Sequence, residues 1–201
     1  MLHTDGREFP QWLLLLAQLP ASPSSARVAL WRRARAAGAA GLHNGVWVLP
    51  ESAAHRALFT QLAATVREHG SAFVLTVAAD GHEVDGDIVA RFDADRAREY
   101  DEFSERADEV LAEIAKETRR EKFTFAELEE IEHDLDRLIT WLAKITTRDF
   151  FPGARATAAA EAVQQCQQAL SDFAQAVYRA EGLAAPDHDE HPEPDEEMNP
   201  Q

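Results

Sequence analysis

One cysteine, Cys166, in a chain of 201 residues excludes an internal disulfide and suits a reducing compartment. Long apolar runs are equally scarce, and none reaches the ~18 residues that a membrane-spanning helix needs. The longest, residues 12–19, follows a polar leader with no small-residue cleavage pattern, so it does not read as a signal peptide. The expectation is a cytoplasmic protein with no membrane contact. Also missing are a phosphate-cradling glycine loop, a Gly-x-Ser-x-Gly elbow and an inward-facing pair of carboxylates. No enzymatic reaction and no cofactor are therefore expected.

Positive charge is absent from the last 21 residues, and its distribution elsewhere is uneven. Residues 1–91 carry eight Lys/Arg against eight Asp/Glu, residues 92–180 twelve against twenty, and residues 181–201 none against eight. The net charge of -16 argues against a general nucleic-acid coat. A contact with DNA or another anion has to use a local basic face, and the neutral first segment is where one can lie.

What is present begins with Trp-Leu-Leu-Leu-Leu-Ala-Gln-Leu over residues 12–19, closed by Pro20. An apolar run of that length between turn residues reads as a strand covered on both faces. Ser22 then looks like an N-cap, with Pro23 at the first helical position. That helix runs to about Ala37, with Val28, Leu30, Trp31 and Ala34 as its apolar side and Gly38 as its left-handed stop. Strands over 40–43 and 46–49 flank Asn44-Gly45, a strong hairpin signal because both residues tolerate positive φ. A second helix spans 52–69 with Leu58, Leu62 and Val66 on one face, and a fourth strand spans 72–78. The order βαββαβ is that of the ferredoxin-like split unit.

Residues 80–87 read as a polar loop whose acids lack the spacing of a calcium loop. From Phe92 the pattern is helical. Apolar stripes at spacings of 3 and 4 run through Tyr100–Ile114, Leu128–Ile145 and Ala159–Val177. Thr124-Phe-Ala-Glu127 forms a capping box before the second of them, and Phe150-Phe-Pro-Gly153 breaks its far end. Ile139 and Trp141, off the main stripe, suggest a contact with the sheet unit or a partner. The fold class is α+β. Residues 1–11 are a flexible leader, 12–80 a ferredoxin-like domain, 92–180 a three-helix antiparallel segment, and 181–201 a disordered acidic tail.

Little chemistry stands out. Cys166 falls on an apolar stripe and reads as a packed core thiol. Glu130 and His133 make half of a di-iron signature, but His133 lies far around the helix from the apolar stripe, so a solvated face is the better reading. His188 and His191 have no fixed geometry, and no metal site is expected. Arg27, Arg32, Arg33 and Arg35 are the one cluster that invites a functional reading, since several guanidiniums on one helix can hold phosphates or a tetrahedral dianion. The pattern alone slightly favours the blander alternative, a solvated or interdomain face paired with the acidic second half. Trp31 and Trp47 read as core more readily than as stacking platforms, and Arg119, Arg120 and Lys122 form a smaller basic knot of the same ambiguity.

The run Trp12-Leu-Leu-Leu-Leu, then Arg27-Val-Ala-Leu-Trp-Arg-Arg33, Leu42-His-Asn-Gly-Val-Trp-Val-Leu-Pro50, Lys122-Phe-Thr-Phe-Ala-Glu and Arg148-Asp-Phe-Phe, resembles the N-terminal domain of the chromate-resistance regulator family ChrB. The likeness covers roughly residues 10–180. The first part is also similar to the ferredoxin-like core of phenylacetate-degradation repressors of the PaaX type and of the small CRISPR-associated nuclease. The nuclease resemblance implies an aspartate at the end of the first strand, where this chain reads Ala17-Gln-Leu-Pro20. The ChrB resemblance implies a transcriptional regulator that binds operator DNA and responds to chromate, with Arg27, Arg32, Arg33 and Arg35 as the DNA or oxyanion contact. It also implies a second domain of similar size. The alternative is therefore an interaction module that forms a homodimer or docks a separately encoded C-terminal domain.

Overall fold

The computed structural model describes residues 11–22 and 24–184. Residues 1–10 of the expected leader, Pro23, and the acidic tail from residue 185 with His188 and His191 lie outside the described residues. The chain is α+β. In order come β1 (Trp12–Gln18), α1 (Ser25–Ala36), β2 (Ala40–His43), β3 (Val46–Pro50), α2 (Ala53–Arg67) and β4 (Ser71–Val77). Three longer helices follow: α3 (His82–Arg119), α4 (Phe125–Thr147) and α5 (Ala154–Ala180). The four strands form one antiparallel sheet in the order β2-β3-β1-β4. No helix among the described residues is long and apolar enough to cross a membrane.

β1 takes its central place because its side chains are apolar on both faces, and it pairs with β3 on one side and β4 on the other. Alternation sends Leu13 and Leu15 to the face covered by α2, which Arg56 marks by donating to Thr76 Oγ1 at 3.0 Å. Phe59, Leu62, Ala63 and Val66 of α2 are buried there with Leu30 and Ala34 of α1. Trp12 points to the opposite face. Its indole stacks on Phe92 of α3, with ring centroids 5.8 Å apart, and its Nε1 donates to Asp85 Oδ1 at 2.8 Å. Cover on both faces therefore holds at Trp12 and Leu13 and thins along the strand, where Leu14 and Leu16 are only half-buried.

Three local expectations need correction. α1 starts at Ser25 after Ser24, not after Ser22, and Ser24 makes no side-chain cap bond. Its apolar side is narrower than expected, because Leu30 and Ala34 are buried while Val28 and Trp31 are exposed. The stretch 80–87 is not a loop. α3 begins at His82 and carries Gly86 in its first turns, held by the Asp85–Trp12 bond and by Ile88 and Phe92 entering the sheet core.

The hairpin lies where Asn44-Gly45 places it, although only Gly45 has positive φ (76°), and the β2–β3 register slips between Gly41 and His43. A Cβ on Gly45 would sit 2.2 Å from the Ala17 carbonyl oxygen, so β1 itself demands glycine there.

Beyond the sheet, α3, α4 and α5 bury the stripes read from sequence. Tyr100, Phe103, Ala107, Leu135, Leu138, Ile145, Ala159, Val163 and Cys166 form one cluster, and Ile114, Leu128, Ile131, Phe173 and Val177 a second. Trp141 and Ile139 belong to this packing: Trp141 lies against Phe103 at 5.6 Å, and neither reaches the sheet core. At the α3–α4 turn Thr124 Oγ1 accepts from the Glu127 N–H at 3.3 Å, while the Glu127 carboxylate pairs with Lys122 rather than reaching back to the cap. Half of the expected capping box is made.

Candidate nucleic-acid or oxyanion interface

α1 is the most basic element, with four arginines and no acid. At about 100° per residue, Arg32 falls opposite the buried edge of Leu30 and Ala34, Arg33 falls to one side, and Arg27, Trp31 and Arg35 to the other. The four guanidiniums therefore do not converge on one point. Arg35, half-buried, pairs with Asp95 of α3. Arg33 donates to Gln61 Oε1 of α2 at 2.7 Å, and Arg27 to the Ala21 carbonyl at 2.6 Å. Arg32 is exposed and has no hydrogen-bond or ion-pair partner among the described residues.

Beside Arg27 lies a groove of about 930 Å3 between α1 and the β2–β3 hairpin. Trp31, 54% exposed, and the half-buried Trp47 stand in its walls with His43 and Asn44. Trp47 packs against the sheet core, as the sequence reading expects of it, whereas Trp31 does not. The missed signal is the spacing of Arg27 and Trp31, four residues apart and therefore on one helix face. A cation beside exposed indole faces can hold a phosphate and stack an unpaired base.

Of the second basic knot, Arg120 and Lys122 serve a structural end together with Lys116, while Arg119 is exposed. Lys116, Arg120 and Lys122 surround the buried carboxylate of Glu117 at 3.1, 3.2 and 3.9 Å. Burial would raise the Glu117 pKa, yet the hydrogen bond and charge of Lys116, with Lys122 and Arg120, hold it below the usual range. Glu130 and His133, read as part of a solvated face, are both exposed, and no group of metal-holding side chains is found among the described residues. Cys166 is buried on α5 with its thiol directed at the Ala107 carbonyl at 3.6 Å, and burial raises its pKa.

Where the sheet unit meets the long helices, Arg96 is buried, with Glu99, Arg148 and Asp149 half-buried around it. Glu99 Oε2 accepts from Arg96 and from Arg148, each at 2.9 Å. Arg96 is 4% exposed, and burial, with Arg148 and Arg35 nearby, lowers its pKa against the pull of Glu99. Tyr100 donates its hydroxyl to Asp149 Oδ2 at 2.9 Å, and burial together with that carboxylate pushes its pKa up to about 12. The neutral phenol is thus favoured by folding. Its contribution is complete below pH 10, the ordinary value, and drains away as pH rises toward 12. Tyr100→Phe is expected to cost about 1 kcal/mol near neutrality and to flatten the loss of stability above pH 10, as read by denaturant titrations across that range. An unchanged alkaline slope would show that Tyr100 does not set it.

Against this geometry stand two likenesses. Residues 27–184 match the family described as Protein ChrB, N-terminal. Protein ChrB of Cupriavidus metallidurans is 38% identical over 93 residues, which is 46% of this chain and 28% of that protein. The chain thus matches well under half the length of that relative. With the family match spanning most of its length, from the first arginine of α1 to the end of the described residues, the chain belongs to the ChrB N-terminal family.

Proposed function

We propose that the chain is a chromate-resistance-associated regulatory protein that contacts operator DNA through the outward face of α1 and responds to chromate. The family relation supports the association with chromate resistance. The observation that carries the DNA reading is Arg32: exposed, unpartnered among the described residues, and on an acid-free helix in the neutral part of an otherwise acidic chain. Arg27 and the indole of Trp31 extend that surface into the groove. We also read the βαββαβ unit as ferredoxin-like, on the strength of its strand order β2-β3-β1-β4, with α3, α4 and α5 as an appended antiparallel segment. A second reading, an interaction module that packs against a further domain, is favoured by the relative's length beyond the matched part.

The test is fluorescence anisotropy with the DNA upstream of the gene, at two salt concentrations, with and without chromate. Binding should be salt-sensitive and relieved by chromate. Arg32→Ala should weaken it at every sequence and reduce the salt slope by about 1. Undiminished affinity in an Arg27→Ala, Arg32→Ala double variant would remove α1 from the interface.

A further inference from the structure

We propose that β4 is a self-pairing edge: two copies of the chain align their β4 strands antiparallel about a two-fold axis at Val74, joining two four-stranded sheets into one of eight. This inference is independent of DNA binding.

β4 ends the strand order, so its far side has no strand neighbour among the described residues. The direction of its backbone groups can be read from α2. Arg67 Nε donates to the Ala72 carbonyl at 3.1 Å, taking that oxygen from outside the sheet. In an antiparallel ladder alternate residues face the same way, so Ala72, Val74 and Thr76 present their N–H and C=O groups at the free edge. Sheet edges are normally protected by a charge, a proline or a bulge within the strand. Ser71–Val77, reading Ser-Ala-Phe-Val-Leu-Thr-Val, has no charge and no proline, and its pairing with β1 is regular over all seven residues. The other edge, β2, is short and irregular.

The face beside this edge is apolar. Phe73 is 61% and Leu75 45% exposed, although both lie on the same side of the sheet as the buried Trp12. α3 covers that face at Trp12 and toward β2, where Val48 and Ala40 are buried, and leaves the β4 side with Phe73 and Leu75 under no helix among the described residues. Neighbouring exposed apolar side chains of this size mark an interaction surface.

The occupant follows from charge and from register. The chain carries -16, so two copies repel unless they meet where charge is absent. β4 and the Phe73–Leu75 face are such a place. Two cations of α2 stand over the strand on the face opposite Phe73 and Leu75: Arg56, paired with Glu51, and Arg67, held on the Ala72 carbonyl. With the axis at Val74 all seven residues pair, and Val74 meets its own copy through outward-facing N–H and C=O groups. Phe73 then stands directly opposite Leu75 of the copy, and Leu75 opposite Phe73, two aromatic–aliphatic cross-strand pairs on the exposed face. A strand of this length spans only about 23 Å, so the contact lies at the small end of specific interfaces and the dimer is reversible.

Sedimentation velocity of the full chain from about 1 to about 100 μM reads this directly, on a micromolar scale of affinity. The expected result is a concentration-dependent monomer–dimer equilibrium. Phe73→Lys, at an exposed position, should weaken it at least about tenfold with an unchanged circular dichroism spectrum. Thr76→Pro, which removes an edge N–H without touching the β1 ladder, should do the same. A wild-type chain that stays monomeric throughout overturns the proposal, as does a dimer that both folded variants leave intact. Because no DNA is present, a failure of the DNA reading leaves this result untouched.

Discussion

Phe92→Ala is expected to lower the stability of the chain by about 3–5 kcal/mol, the largest effect of any single truncation considered. The ring is the meeting point of three segments that are remote in sequence. It stacks on Trp12 of β1, meets Phe150 edge-on at 5.8 Å and lies 5.5 Å from Phe151 in the α4–α5 connection. Removing it leaves a cavity walled by three aromatic rings, none of which can collapse without pulling its own backbone. It also bares the side of Trp12 that α2 cannot cover. Denaturant titration should show the midpoint falling with little change in slope. A loss below about 1 kcal/mol, the scale of an ordinary surface change, would mean that Phe150 and Phe151 refill the space. Phe150→Ala should then cost more in the Phe92→Ala background than in the parent chain.

Gly38→Ala is expected to be nearly as damaging, for reasons of backbone and space together. Gly38 has φ 81°, and a Cβ there would stand 2.9 Å from the Arg148 carbonyl oxygen and 3.1 Å from Phe150. The strained backbone costs roughly 1–3 kcal/mol, and forcing the α4 terminus away adds an overpacking cost of similar size, about 1–3 kcal/mol. Thermal unfolding should show the loss, and Gly38→Asn should show one of comparable size, because its better tolerance of positive φ leaves the same Cβ contact in place. Equal stability of the alanine variant would show that the α4–α5 connection yields freely.

How much of this was legible depended on whether a signal was local. The β1 run, the Asn44-Gly45 turn and the 3–4 stripes of α4 and α5 are short-range patterns, and the elements stand where those patterns put them. The first turns of α3 were hidden because Gly81, Gly86 and three acids look like a solvated turn. Those residues are helical because Asp85, Ile88 and Phe92 reach Trp12 and the sheet core across some seventy positions of sequence. Val84, Ile88 and Phe92, four apart, were the available hint.

The α1 cluster shows the opposite limit. Four arginines in nine residues suggest convergence, but helix geometry scatters them, and Asp95, Gln61 and the Ala21 carbonyl occupy three. Their partners lie up to sixty residues away, beyond the reach of any pattern within the helix.

α3 has a mechanical consequence. It is anchored at one end in the sheet through Phe92 and at the other in the helical cluster through Ile114, with no break among its 38 residues. A helix rises about 1.5 Å per residue, so Phe92 and Arg119 are separated by about 40 Å of continuous rod. With α4 and α5 packed along it, it forms the stem of a three-helix arm whose short end is seated beneath β1 and β2, next to the Arg35–Asp95 pair of the basic helix. A tilt of about 10° at that seat carries the far tip about 7 Å, by the same rise. A small shift of α1 would thus become a displacement of whole side-chain width at the opposite end of the molecule.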